Sequence, residues 1–208
     1  MNSDWASENL QVIRTLMERA TQYRRALAPM TLLAGVLGLV AAGVGWYAQF
    51  DRPVTFVTHW VISAWVINVG ALLIARKQAI NAQEPFWSSP TKRVALGSAP
   101  GFFAGGLLTA AITMRWAEEP QVVPWLIVIW LLCYGCALCA AGFFMPRGIK
   151  LFGWLYLILA ALMLFAYWPS WLKLSVLGNH LVMGVVFGGV HLAYGIYLHF
   201  TEKRGDAS

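Results

Sequence analysis

VVPWLIVIWLLCYGCALCAAGFF, residues 122–144, runs from end to end without a charged side chain. A helix rises about 1.5 Å per residue, so roughly 20 apolar residues cross the ~30 Å hydrocarbon core of a bilayer. The stretch reads as a transmembrane helix, and the same reading applied outward from it finds five more, at 28–50, 54–75, 95–114, 151–168 and 174–200. In the third, Gly97, Pro100, Gly101, Gly105 and Gly106 crowd the first half, and the fifth is short and stops at Trp168 and Pro169.

Composition says the same of the whole chain. Of 208 residues 59% are hydrophobic and 12% charged, with a mean hydropathy of +0.62, whereas a soluble domain is about a quarter charged. The net charge of +6 is spread over short connectors and forms no basic face, which argues against nucleic acid as a partner. The fold class expected is all-α: a polytopic membrane protein of six transmembrane helices in three hairpins, with the lipid bilayer as its solvent.

Placing both termini in the cytoplasm puts Arg14, Arg19, Arg24, Arg25, Arg76, Lys77, Lys92, Arg93, Arg147, Lys150, Lys203 and Arg204 on that side and leaves Arg52, Arg115 and Lys173 on the other. The bias predicts an N-in, C-in topology. Trp46, Trp60, Trp116, Trp125, Trp168 and Trp171 fall near the proposed outer ends, where an indole keeps its body in lipid and its N–H wet. The first 27 residues carry Asp4, Glu8, Glu18 and four arginines and lack the apolar core of a cleavable signal. A bacterial inner membrane is the expected location.

Ahead of the first span, Leu10, Ile13, Leu16, Met17, Ala20, Tyr23 and Leu27 recur at spacings of three and four. Residues 1–27 are therefore expected to form a cytoplasmic amphipathic helix, with 201–208 as a cytoplasmic tail. Such a helix either lies in the headgroup layer or docks a cytosolic or membrane protein through Leu10, Ile13, Leu16, Met17 and Tyr23, a second copy of the chain being one such partner. An offset of 70 aligns Gly35 with Gly105, Leu37 with Leu107, Ala41 with Ala111, Trp46 with Trp116 and Trp60 with Trp130, so the first two hairpins read as an internal duplication.

Ionisable groups deep in a span are costly and usually functional. No Asp, Glu, Lys or Arg lies deep in these spans, which argues against proton-coupled transport, voltage sensing or a retinal lysine. Histidines remain. His59 and His180 stand five or six residues in from the outer side on different helices, and His191 follows His180 by eleven residues, near the same face and ~16 Å deeper. Three readings stay open for them: axial ligands of a haem b or part of a metal site, a quinone-associated redox site, or packing and hydrogen bonding to Tyr or Asn neighbours. Asn68 and Asn179 read as interhelical glue. Cys133, Cys136 and Cys139 are spaced like redox pairs but sit deep in a span, and read as small packing residues. No catalytic residue, phosphate loop or zinc spacing is expected.

The segment IRTLMERATQYR, residues 13–24, followed by Ala28, Pro29 and a glycine-rich span, resembles the start of a family of small uncharacterised bacterial multi-pass inner-membrane proteins. The resemblance covers about the first 45 residues and implies location, not mechanism. The expected function is a non-enzymatic, partner-binding, regulatory or accessory membrane subunit. One alternative is a haem- or quinone-associated redox subunit using His59, His180 and His191. A second is a carrier of a lipophilic molecule, lined by Asn68, Thr109, Thr113 and Tyr134.

Overall fold

The structure is a computed structural model and describes residues 27–81, 83, 85–145, 147–167 and 174–205. The described residues are helical with no strand, and six helices are long and apolar enough to cross a membrane. They are α1 (Leu27–Tyr47), α2 (Pro53–Asn81), α3 (Ser89–Trp116), α4 (Val122–Ala141), α5 (Arg147–Tyr167) and α6. The last runs through three pieces: Val176–Met183, a π-helical turn at Gly184–Gly189, and Val190–Gly205. The expected N-terminal helix with Leu10, Ile13, Leu16, Met17 and Tyr23 lies outside the described residues. Several boundaries differ from expectation: α2 continues past 75, α3 begins at Ser89 and α5 at Arg147, ahead of the expected 95 and 151, and α6 carries helix through 201–205, into the expected tail.

Lipid removes the usual reason for burying a leucine, because a leucine facing lipid is already in an apolar medium. Helices associate instead where small side chains let backbones approach. Along α1 and α6 this makes one antiparallel seam. A Cβ on Gly35 would fall 2.6 Å from Leu192 Cα, one on Gly38 2.9 Å from Gly188 Cα, one on Gly184 2.6 Å from Ala42 Cβ, and one on Gly195 2.8 Å from Leu32 N. Every such contact leaves room for hydrogen and nothing larger.

The glycines that crowd the third span have the same use. A Cβ on Gly101 would lie 2.7 Å from the Cys133 carbonyl, so α3 is a continuous helix laid on α4 despite Pro100. On the other side of α4, a Cβ on Gly153 would lie 2.8 Å from Cys139 N and one on Gly142 2.8 Å from Lys150 N, so the missing side chains seat α5. α4 is thus the central helix. Its Val123, Leu126, Ile127 and Leu131 meet Phe56 and Trp60 of α2, Tyr156 and Ala160 of α5, Met183 of α6 and Ala41 and Ala42 of α1 in the main core. A smaller cluster of Leu27, Ala28, Ile149 and Leu198 closes the end of the bundle near the termini.

Two helices are left largely outside. Of the most apolar stretch, 11% of α3 and 17% of α2 is buried, against 44% of α1 and 39% of α4. Positions that the offset of 70 matches also meet different neighbours: Gly35 packs on α6, Gly105 on Cys133 of α4.

The seam makes a contrast that can be measured. Gly188→Ala would press a Cβ to 2.7 Å from Leu39 N, where neither backbone can yield, and should destabilise the protein by about 1–3 kcal/mol. Gly43→Ala on the same pair of helices meets nothing within 4 Å and should stay within about 0.5 kcal/mol of the parent. Tryptophan-monitored thermal unfolding of both variants in one detergent reads the difference.

Candidate functional site

The buried histidines stand at two levels, and the first begins with the way α1 ends. Gln49 takes a left-handed φ of 55°, and the Phe50 N–H then closes back onto the Gly45 carbonyl at 3.1 Å. Glycine normally holds that position after a helix, because its missing Cβ removes the penalty. Here Gln49 bears it and anchors its own amide to the Trp46 carbonyl at 2.9 Å. The turn aims the Phe50 carbonyl inward, where it meets His180 Nε2 at 3.1 Å.

His180 is fully buried, and both of its ring nitrogens are engaged. Trp60 Nε1–H donates to His180 Nδ1 at 3.1 Å. An indole N–H can only donate, so Nδ1 is the acceptor and Nε2 carries the proton it gives to Phe50. The ring lies over Gly45, where any Cβ would collide with it, and packs at 4.7 Å on Phe56. His59 is half-buried and gives its Nε2–H to the Ala41 carbonyl at 2.8 Å, with its ring 5.3 Å from Phe50. The two imidazole centroids are 5.6 Å apart with planes inclined by 63°.

His191 forms the second level, one helical stretch along α6. Its Nδ1 lies 2.8 Å from the Phe187 carbonyl and 2.7 Å from the Tyr156 hydroxyl. A carbonyl only accepts, so Nδ1 carries the proton, and Nε2 accepts from the Tyr134 hydroxyl at 2.8 Å. The π turn prepares this arrangement. The Val190 N–H reaches back to Val185 and Phe187, so the ladder is displaced from its α register where the histidine needs a carbonyl. Such turns recur at functional sites. Phe152 and Phe187 pack on the imidazole at 5.1 and 4.3 Å.

Each histidine is therefore placed, and the group does not converge. His59 and His180 come together; His191 stands apart with Tyr134 and Tyr156. A haem between His59 and His180 would need a nitrogen of each aimed at one iron, with a flat macrocycle between the rings. Both nitrogens of His180 face protein groups, the Phe50 and Phe56 rings close on the pair, and Trp60 stacks beside it at 6.2 Å. These residues do not fit the group.

The remaining candidates serve the helices that carry them or their nearest neighbours. Trp130 Nε1–H donates to Thr109 Oγ1 at 2.7 Å, and that hydroxyl donates to the Gly105 carbonyl at 2.6 Å, tying α4 to α3. Thr113 Oγ1 is buried with no hydrogen-bond partner among the described residues. Asn179 donates to the Ser175 carbonyl of its own helix start at 3.0 Å. Asn68 is exposed, and its Nδ2 donates to Ala64 of its own helix at 2.8 Å. Cys136 faces outward, while Cys133 and Cys139 lie half-buried in the glycine contacts of α4.

Sequence reasoning missed Trp60, expected at the membrane surface and found 4% exposed inside the core. Its signal was the helical spacing that puts it next to His59 and one turn from Phe56. Tyr156 and the Phe50 carbonyl were missed as well; a lone tyrosine inside an apolar run was the available sign for the first, and a backbone carbonyl leaves none.

Beyond the apolar stretches, Arg52 makes a two-pronged ion pair with Glu118 at 2.8 and 2.9 Å, clasping the α1–α2 connection to the α3–α4 connection. The hydrogen bond to Glu118, then its charge, raises the Arg52 pKa further above its ordinary value, so the guanidinium stays charged at every working pH.

A scan against protein-family models finds no match, and searches of curated proteins and of solved structures return none. The fold and the site define the class by themselves: a multi-pass α-helical membrane protein with two hydrogen-bonded aromatic–histidine clusters in its core.

Two variants probe the first cluster. Trp60→Phe strands the buried Nδ1 of His180 and should cost about 1–3 kcal/mol, whereas Trp125→Phe, 46% exposed, should change stability by less than about 0.5 kcal/mol. Gln49→Gly relieves the left-handed residue and should stabilise by about 0.5–1 kcal/mol. Both are read as midpoint shifts in the same thermal assay.

Proposed function

We propose that this chain is a non-enzymatic accessory subunit of a membrane, one that works by holding a protein partner inside the bilayer along α2 and α3. The observation that carries the reading is the stripe Leu96, Phe103, Leu107 and Met114 on α3. These residues share one helical face and are 59–87% exposed, on a helix that the bundle itself barely covers. His180 and His191 support it from the other side, because both ring nitrogens of each are engaged by the helices around them.

The orientation belongs to the same reading. In the topology read from the sequence, twelve of the fifteen cations fall on the side of the termini, which favours termini in the cytoplasm and a bacterial inner membrane as the home. One of the three on the far side, Arg52, is neutralised by Glu118.

A photo-crosslinking residue in place of Phe103 or Leu107 should give a discrete protein adduct in native membranes. The same probe at Phe165 of α5, 78% exposed, should give lipid adducts alone. Lipid adducts at all three positions would remove the partner. A purified protein with a Soret band lost in the His59→Ala, His180→Ala double variant would put a cytochrome in its place.

A further inference from the structure

We propose that α2 is a self-association surface and that its occupant is α2 of a second copy, joined through a pair of hydrogen bonds between the two Asn68 side chains. The proposal rests on the partner-holding reading above and names one partner.

Asn68 stands near the middle of α2, at the depth of the hydrocarbon, with its side chain exposed. One amide hydrogen goes to the Ala64 carbonyl at 2.8 Å, and Oδ1 has no partner among the described residues. Lipid chains at that depth offer neither a donor nor an acceptor, so an open carboxamide is costly there. The opposite side of α2 is already committed: Ile67 is buried, Gly70 fits against Leu33, and His59 and Trp60 turn into the bundle.

A carboxamide is self-complementary, since it carries two N–H donors and an accepting oxygen. Two copies inserted in the same orientation bring identical residues to identical depth. A twofold axis along the membrane normal then pairs each position with its own equivalent. A different partner must happen to carry a polar group at this depth, whereas a second copy supplies one automatically. The flanking residues suit a close parallel crossing. Val61, Trp65 and Leu72, at seven and three residues before and four after Asn68, are 39%, 70% and 56% exposed. Ala64, one turn before, is exposed and small enough to admit the neighbouring backbone.

The test uses the full chain, one batch labelled at its N-terminus with a donor dye and another with an acceptor, mixed in phosphatidylethanolamine–phosphatidylglycerol vesicles. Energy transfer should fall as lipid dilutes the protein. Asn68→Leu should need at least about tenfold more protein per lipid for the same transfer. Asn68→Gln, which keeps the amide, should stay within about threefold of the parent, and Phe165→Ala on α5, 78% exposed and away from α2 and α3, should leave the curve in place. If Asn68→Leu fails to fold, Ala64→Leu blocks the crossing from an outward position and should give the same loss. A folded Asn68→Leu protein that associates like the parent overturns the proposal, as does an absence of transfer at every density. Absence of transfer with the α3 adduct still formed ends the second-copy proposal alone; transfer without that adduct ends the α3 partner and leaves this one standing.

Discussion

The approach of the α1 and α6 backbones to within the space of a hydrogen atom is the constraint on which the rest of the bundle depends. In water a helix pair can be held by burying large apolar side chains, but within a bilayer that gain vanishes and close dispersion contact must replace it. Gly35, Gly38, Gly184, Gly188 and Gly195 supply the closeness, and the consequences spread from them. Gly45, at the end of the seam, leaves the space that the His180 ring occupies. The π turn falls on the same glycines, and its displaced ladder presents the Phe187 carbonyl to His191. Packing and polar chemistry are thus two outcomes of one stripe of small residues.

The polar clusters do what water does in a soluble core. A donor buried in lipid is costly unless it finds an acceptor inside the protein, and the clusters let helices supply one another's acceptors. Trp60 ties α2 to α6 through His180; Tyr134 and Tyr156 tie α4 and α5 to α6 through His191; Trp130 ties α4 to α3 through Thr109. Hydrogen bonds also carry direction, which apolar contact does not. An imidazole between a donor and an acceptor admits one rotation and one tautomer, so these clusters specify how the helices are turned about their axes.

Much of this was legible in the residues. Charge-free runs marked six helices, and the uniform rise of a helix put His59 and His180 at one depth, where their rings meet. A π turn between His180 and His191 left no trace in the spacing, which assumed a regular twist. Neighbours were harder to read. In a soluble protein the polar face of a helix points away from its partners, but in a bilayer both the lipid-facing and the core-facing sides are apolar, so periodicity loses its direction. That is why Trp60 read as a surface anchor and the crowded glycines of α3 gave no sign of the helix they pack against. It is also why Asn68 read as glue within the bundle, although it points out of it. The first 26 residues, whose amphipathic spacing was the clearest periodic signal in the chain, lie outside the described structure.

The seam also sets an order on the making of the molecule. Gly35 and Leu192 are separated by most of the sequence, so of the six helices α1 meets its closest neighbour only once α6 is in place. Until then its glycine face is bare. Without α6 that face has no neighbour in the bundle that fits it, because Leu192, Gly188 and Gly184 are the groups its small residues admit.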